Sequence, residues 1–155
     1  MEEKFNESLN KALRALQTAD HMTYITFPLI KEKRLLLKIL SELNTAVLNA
    51  MNAILQYEYY YKRIEVYADA RDNFNTFKEI ASEYQISPEQ LKSIIEILNL
   101  AEKHKKSPFE FVKEDKIVIM SNGMKTDTLN LEKIKQFLIE VKDVLRKASL
   151  KIKRE

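Results

Sequence analysis

Glycine occurs once in this 155-residue chain, at position 123, and proline three times. Both are far below ordinary use. Tight turns and helix breakers are scarce, which favours long helices over a many-stranded sheet. Phosphate-cradling loops need several glycines, so that the backbone can approach the phosphates closely; a single glycine excludes the P-loop and the dinucleotide-binding fingerprint. Cysteine is absent, which excludes disulfides, thiolate catalysis and cysteine metal sites. Only two histidines occur, His21 and His104. Neither has a glutamate three residues before it, the spacing that sets a di-iron ligand pair on one helix face. Neither belongs to a recognisable nucleophile motif, and a zinc site on two histidines would need carboxylates brought in by the fold. These absences predict a protein with no catalytic residue set, no cofactor and no metal.

Long apolar runs are missing as well. The longest uncharged stretch, "LNTAVLNAMNAILQY" at 43–57, has 15 residues and carries three asparagines. A membrane span needs about 20 mostly apolar residues. The start, "MEEKFNESLNKAL", is charged throughout and has no apolar leader core. No membrane partner and a cytoplasmic location are therefore expected, and the absence of cysteine permits a reducing compartment.

What the chain does contain is 45% apolar and 32% charged residues, which suits one soluble domain over 1–155 with a real core. Net charge is +3, too small to imply a nucleic-acid partner by itself. It is unevenly spread: from Lys142 onward six lysines and arginines face Asp143 and Glu155, leaving the remainder close to neutral.

Apolar residues at Phe5, Leu9, Ala12, Leu13, Leu16 and Ala19 predict a first helix over about 3–22. The residue before a proline avoids helical geometry, so this helix is expected to end before Phe27. Leu36, Leu40, Leu43, Val47, Ala50, Ile54, Tyr57, Tyr61 and Ile64 alternate steps of four and three, an unbroken seam. They predict a helix of roughly 30 residues, about 45 Å long, as the spine of the domain. "EVYADARDNF" reads as a connection, and a shorter helix follows at about 71–84. Ser87, Pro88 and Gln90 form a helix start with a capping box. That helix should run to about Lys105 with Leu91, Ile94, Ile95, Leu98 and Ala101 inward. Ser107 and Pro108 suggest one further helical turn, "PFEFV". "IVIMSNGMKTDTL" at 117–129 then departs from the helical pattern. A β-branched run, Asn122-Gly123 and a returning segment predict a hairpin with a two-residue type I′ turn. Asn130 should cap a last helix carrying Ile134, Phe137, Leu138, Val141, Val144, Leu145 and Ala148. The expected fold is mostly all-α: a bundle of four to five helices with a long central helix and one small β-hairpin at about 116–129. An isolated hairpin is marginal in water, so it must pack on the helices as a lid.

Few residues carry chemistry. In "QYEYYYKRIEVY", Tyr57 and Tyr61 belong to the seam, while Tyr59 and Tyr60 point elsewhere beside Lys62 and Arg63. Aromatic rings among cations can stack bases and neutralise phosphates, or serve a protein interface, or simply edge a helix with their hydroxyls wet. The basic segment "RKASLKIKRE", with Arg146 and Lys147, is a candidate RNA or anion contact and equally a solvated helix end. "KEKR" at 31–34 has the same two readings. Asp20 and His21, at a helix end before an irregular stretch, are a candidate ligand or metal pair. Asn44, Asn49 and Asn52 interrupt the apolar spine and need hydrogen-bond partners if buried.

The segments "ADHMTYITFPLIKEKRLLLKILSELNTAVLNAMNAILQYEYYYKRI" and "HKKSPFEFVKEDKIVIMSNGMKTDTLNLEKIKQFL" resemble a family of small archaeal proteins of unknown function. The likeness implies an archaeal source and a helical fold, with no activity to carry over. A more distant likeness is to HEPN domains, helical bundles tied to RNA cleavage. Their nuclease motif sets an arginine and a histidine close together on one helix. Here Arg14 stands seven residues before His21 and no arginine closely precedes His104, so the resemblance implies the bundle without the nuclease pair. The expected function is a non-catalytic bundle acting through protein contacts or self-association. The alternative is an RNA-binding or RNA-processing module using the tyrosine-lysine face and the basic C-terminal helix.

Overall fold

The structure, a computed structural model, describes residues 2–153. Its elements in chain order are α1 (Glu2–His21), a π turn (Met22–Thr26), the single turn α2 (Phe27–Ile30), α3 (Leu35–Tyr60), α4 (Ala70–Ile80) with a 3₁₀ turn (Ala81–Tyr84), α5 (Pro88–Lys106), strands β1 (Phe109–Lys113), β2 (Lys116–Met120) and β3 (Thr126–Asn130), and α6 (Leu131–Lys153). The expected helical bundle with a small antiparallel element is present.

α3 is the spine. Its seam from Leu36 to Tyr57 is buried, and α1, α4, α5 and α6 all pack on it. The helix ends earlier than the seam: the chain leaves it at Tyr61, and Lys62 turns left-handed with φ 59°. The three spine asparagines stand on its flanks, half-buried or exposed. α6 buries every residue of its predicted stripe, and the Asn130 side chain accepts from Lys133 N–H at 2.8 Å as a cap.

Four further expectations are corrected. The first helix does not end before Phe27. Phe27 is helical (φ −61°, ψ −44°) and its N–H donates to Met22 O, five residues back. That π step shifts the carbonyl ladder by one residue and accommodates Pro28, which in a regular helix would clash with the carbonyl four residues back. Burial of Phe27 holds the turn in place, and the rod stops at Lys31, left-handed at φ 57°.

On α5 the capping box forms as expected, with both hydrogen bonds at 3.1 Å. The inward stripe is Gln90, Ile94, Ile97 and Leu100, while Leu91, Ile95, Leu98 and Ala101 are half-buried at its sides. A polar residue at the head of the stripe hid its true phase.

The segment after Pro108 is a strand, and the sheet has three strands in the order β1-β2-β3, all antiparallel. Ser107 starts no helix. Its hydroxyl donates to Met120 O at 2.6 Å and so ties the segment to β2. The β1–β2 connection is just Glu114 and Asp115, with Glu114 at φ 58°.

The β2–β3 turn is not the expected two-residue type I′ turn. Met124 N–H donates to Ser121 O at 3.0 Å and Ser121 N–H to Lys125 O at 2.8 Å. Met124, not Gly123, adopts the positive φ, 61°. This is the longer loop in which a turn is followed by a left-handed residue.

Among the described residues, no helix is long and apolar enough to cross a membrane.

Candidate binding surfaces

The sequence candidates fall into three places. At the end of α3, Tyr59 and Tyr60 are exposed on the side of α1. Tyr59 shares a shallow groove with Lys4, Gln56 and Val66, and the Tyr60 ring meets Phe5 edge-on at 5.8 Å. Lys62 is exposed in the left-handed turn. Arg63 folds back instead: its Nε donates to Glu58 Oε2 at 2.5 Å, and its guanidinium lies 5.0 Å from the Tyr61 ring centre. Glu58 is only 2% exposed, and its other oxygen lies 3.6 Å from Lys151 Nζ on α6. Arg63 and the basic helix thus meet on a buried carboxylate, away from Tyr59.

Arg146 and Lys147 lie on α6 around Asp143. Arg146 reaches it at 2.7 Å, Lys147 at 2.9 Å, and the Gln90 amide at 2.7 Å. Hydrogen bonds from Lys147, Arg146 and Gln90 hold the Asp143 carboxyl well below the usual range. Lys147 also donates to Gln85 O at 2.6 Å. A groove of about 380 Å³ between the 3₁₀ turn and α6 is lined by Tyr84, Gln85, Arg146, Leu150 and Lys151. Its lysines already serve backbone carbonyls: Lys151 lies 3.5 Å from Glu83 O.

Asp20 pairs with Lys142 at 2.5 Å, and His21 is exposed beside it. His104 faces Glu110, with Nδ1 at 2.5 Å from Oε2. No group of three or more metal-ligating side chains occurs among the described residues.

Two surfaces were not found by sequence reasoning. The π turn and α2 hold up Tyr24, Ile25, Leu29 and Ile30, exposed to 46, 51, 81 and 61%. Lys135 and Lys142 flank the Tyr24 ring at 5.5 and 5.8 Å, and Ile139 stands between them on α6, 63% exposed.

The second surface is the outer face of the sheet. Side chains alternate across a strand, and the register sorts them. Ile117, Ile119 and Leu129 enter the core. On that inner face Glu110 and Asp127 meet His104 and Lys103 of α5. The opposite face carries the cross-strand ranks Phe109–Met120–Thr126, Phe111–Val118–Thr128 and Lys113–Lys116–Asn130. Val118 is buried there, yet it stands outside the main core. The alternation in "FEFVK" was the available signal.

No protein-family model, no curated protein and no solved structure matches this chain.

Proposed function

We propose that this chain is a non-catalytic helical module that acts through protein contacts, first of all by self-association through the Tyr24–Ile30 surface. The observation that carries this reading is Leu29 and Ile30, large apolar side chains exposed to 81 and 61% at the tip of a well-packed rod. Contiguous apolar surface rimmed by polar groups is characteristic of interaction sites. The rim carries both signs, with Glu32 between Lys31 and Lys33 and with Asp20 beside Lys142. A two-fold contact joins a patch to itself, so a mixed rim can pair with its own copy.

Light scattering across a concentration series tests it. The wild-type chain should assemble, and the variant carrying Leu29→Glu and Ile30→Glu should be monomeric with an unchanged melting temperature. A wild-type chain that stays monomeric at high concentration, or a variant that assembles equally well, refutes the reading.

A further inference from the structure

We propose that the outer face of the three-stranded sheet is a platform for single-stranded nucleic acid. This goes beyond the self-association reading and uses different residues. Phe109 and Phe111 stand side by side on β1, an edge strand, with ring centres 5.5 Å apart and planes inclined at 36°. Phe109 is 57% exposed. Every base offers a π face, so exposed rings bind bases without regard to sequence. In a duplex the base faces are covered by stacking on their neighbours, so rings on a protein surface seat the unstacked bases of a single strand.

The charges around the rings are complementary to a phosphate backbone. Lys113 and Lys116 form the next rank of the same face, and among the described residues neither makes an ion pair. Arg34 reaches the β1 backbone at the residue between the two phenylalanines, its guanidinium donating to Glu110 O at 3.3 Å. The three ranks of this face contain no carboxylate; Glu110 and Asp127 point to the inner side, where α5 holds them. Thr126 and Thr128 add exposed hydroxyls that can meet base edges or phosphates. Such a set of aromatic rings and cations, with Glu110 and Asp127 turned inward and the exposed carboxylates Glu114 and Asp115 confined to the turn at the end away from Phe109, fits a polyanion with flat groups better than it fits an apolar protein surface.

Fluorescence anisotropy with a short labelled oligouridylate, and with an RNA duplex of similar length, tests the proposal. The single strand should bind at low salt and the duplex much more weakly. Phe109→Ala should weaken single-strand binding by roughly ten-fold or more, and Phe109→Tyr should keep it. Lys113→Gln with Lys116→Gln should reduce the slope of log affinity against log salt by about 1.4, at roughly 0.7 per phosphate. Phe109 is exposed, so its variants should melt like the wild type, and melting curves check this. Absent single-strand binding, equal binding of the duplex, or unchanged binding by Phe109→Ala would each overturn the proposal.

Discussion

The Gln90 side-chain amide donates to Asp143 Oδ2 at 2.7 Å, joining the first turn of α5 to the middle of α6. The same side chain completes the Ser87 capping box, and its oxygen accepts from Lys147 at 3.0 Å. One residue therefore closes a helix start and fastens two helices. Gln90→Ala removes all of this at a buried position. It should cost about 2 kcal/mol, since hydrogen bonds to charged groups contribute about 1.5–3 kcal/mol each. Urea unfolding measures it; a loss under about 0.5 kcal/mol, the size of an ordinary surface substitution, would show that the link contributes little.

Asp143 makes stability depend on acid. Its folded-state pKa lies below the unfolded value because Lys147, Arg146 and Gln90 bond the carboxylate. A depressed pKa contributes stability that is complete above the unfolded value of about 3.9 and is lost as pH falls toward the folded one. Asp143→Asn should therefore be less stable than wild type at neutral pH, and the gap should narrow only below about pH 4. Thermal melts over a pH series give the comparison. A gap that closes on raising the pH would reverse the assignment.

At Glu58 the two ways of breaking one ion pair are not equivalent. Arg63 is 44% exposed and can return to water, whereas Glu58 is 2% exposed and cannot. Arg63→Ala leaves a buried carboxylate with, among the described residues, only Lys151 as its ion-pair partner, at 3.6 Å. It should cost about 3 kcal/mol, the lower end of the range for an orphaned buried charge. Glu58→Gln should cost less. Chemical denaturation of both variants ranks them, and the opposite order would mean that Glu58 is more solvated than its burial implies.

The lone glycine should be dispensable. A Cβ at Gly123 would meet nothing within 4 Å, and its φ is not positive. Gly123→Ala should be neutral, or stabilising by up to about 1 kcal/mol through the unfolded chain. Met124 occupies the left-handed position at φ 61°, which costs a side chain roughly 1–2 kcal/mol. Met124→Gly should therefore gain up to about 1 kcal/mol after glycine's own entropy loss. Melting temperatures of the two variants decide whether the turn has this phase or the type I′ phase, which would make Gly123→Ala the damaging change.

The parts legible in sequence were those with a long period or a local hydrogen-bond signature. The α3 seam, the α6 stripe, the Ser87–Gln90 box and the Asn130 cap all follow from spacing alone. β1 was hidden because its turn, Glu114-Asp115, uses neither glycine nor asparagine, while Ser107-Pro108 imitates a helix start. The helical passage through Pro28 depends on a π step that no propensity announces. Glu58 was overlooked among tyrosines, although Met51, Leu55 and Glu58 continue the widened apolar face of α3 in steps of four and three. Tyr24, Ile25, Leu29 and Ile30 carry no local mark of exposure in the sequence, and only tertiary placement leaves them outside.

Tyr57 receives both ends of the bundle. The Phe5 ring of α1 meets its ring at 5.3 Å, and its hydroxyl donates to Lys151 O of α6 at 3.5 Å. During synthesis α1 and α3 can pair early, because their contacts span a short stretch of chain. The face of α3 that belongs to α6 must wait, uncovered, for nearly a hundred further residues. Long-range closure of this kind slows folding and prolongs exposure of apolar surface. The nascent chain therefore keeps this face open to aggregation until α6 is made, and disruptions of α6 should be far more damaging in cells than deletions of similar length in the exposed β2–β3 loop.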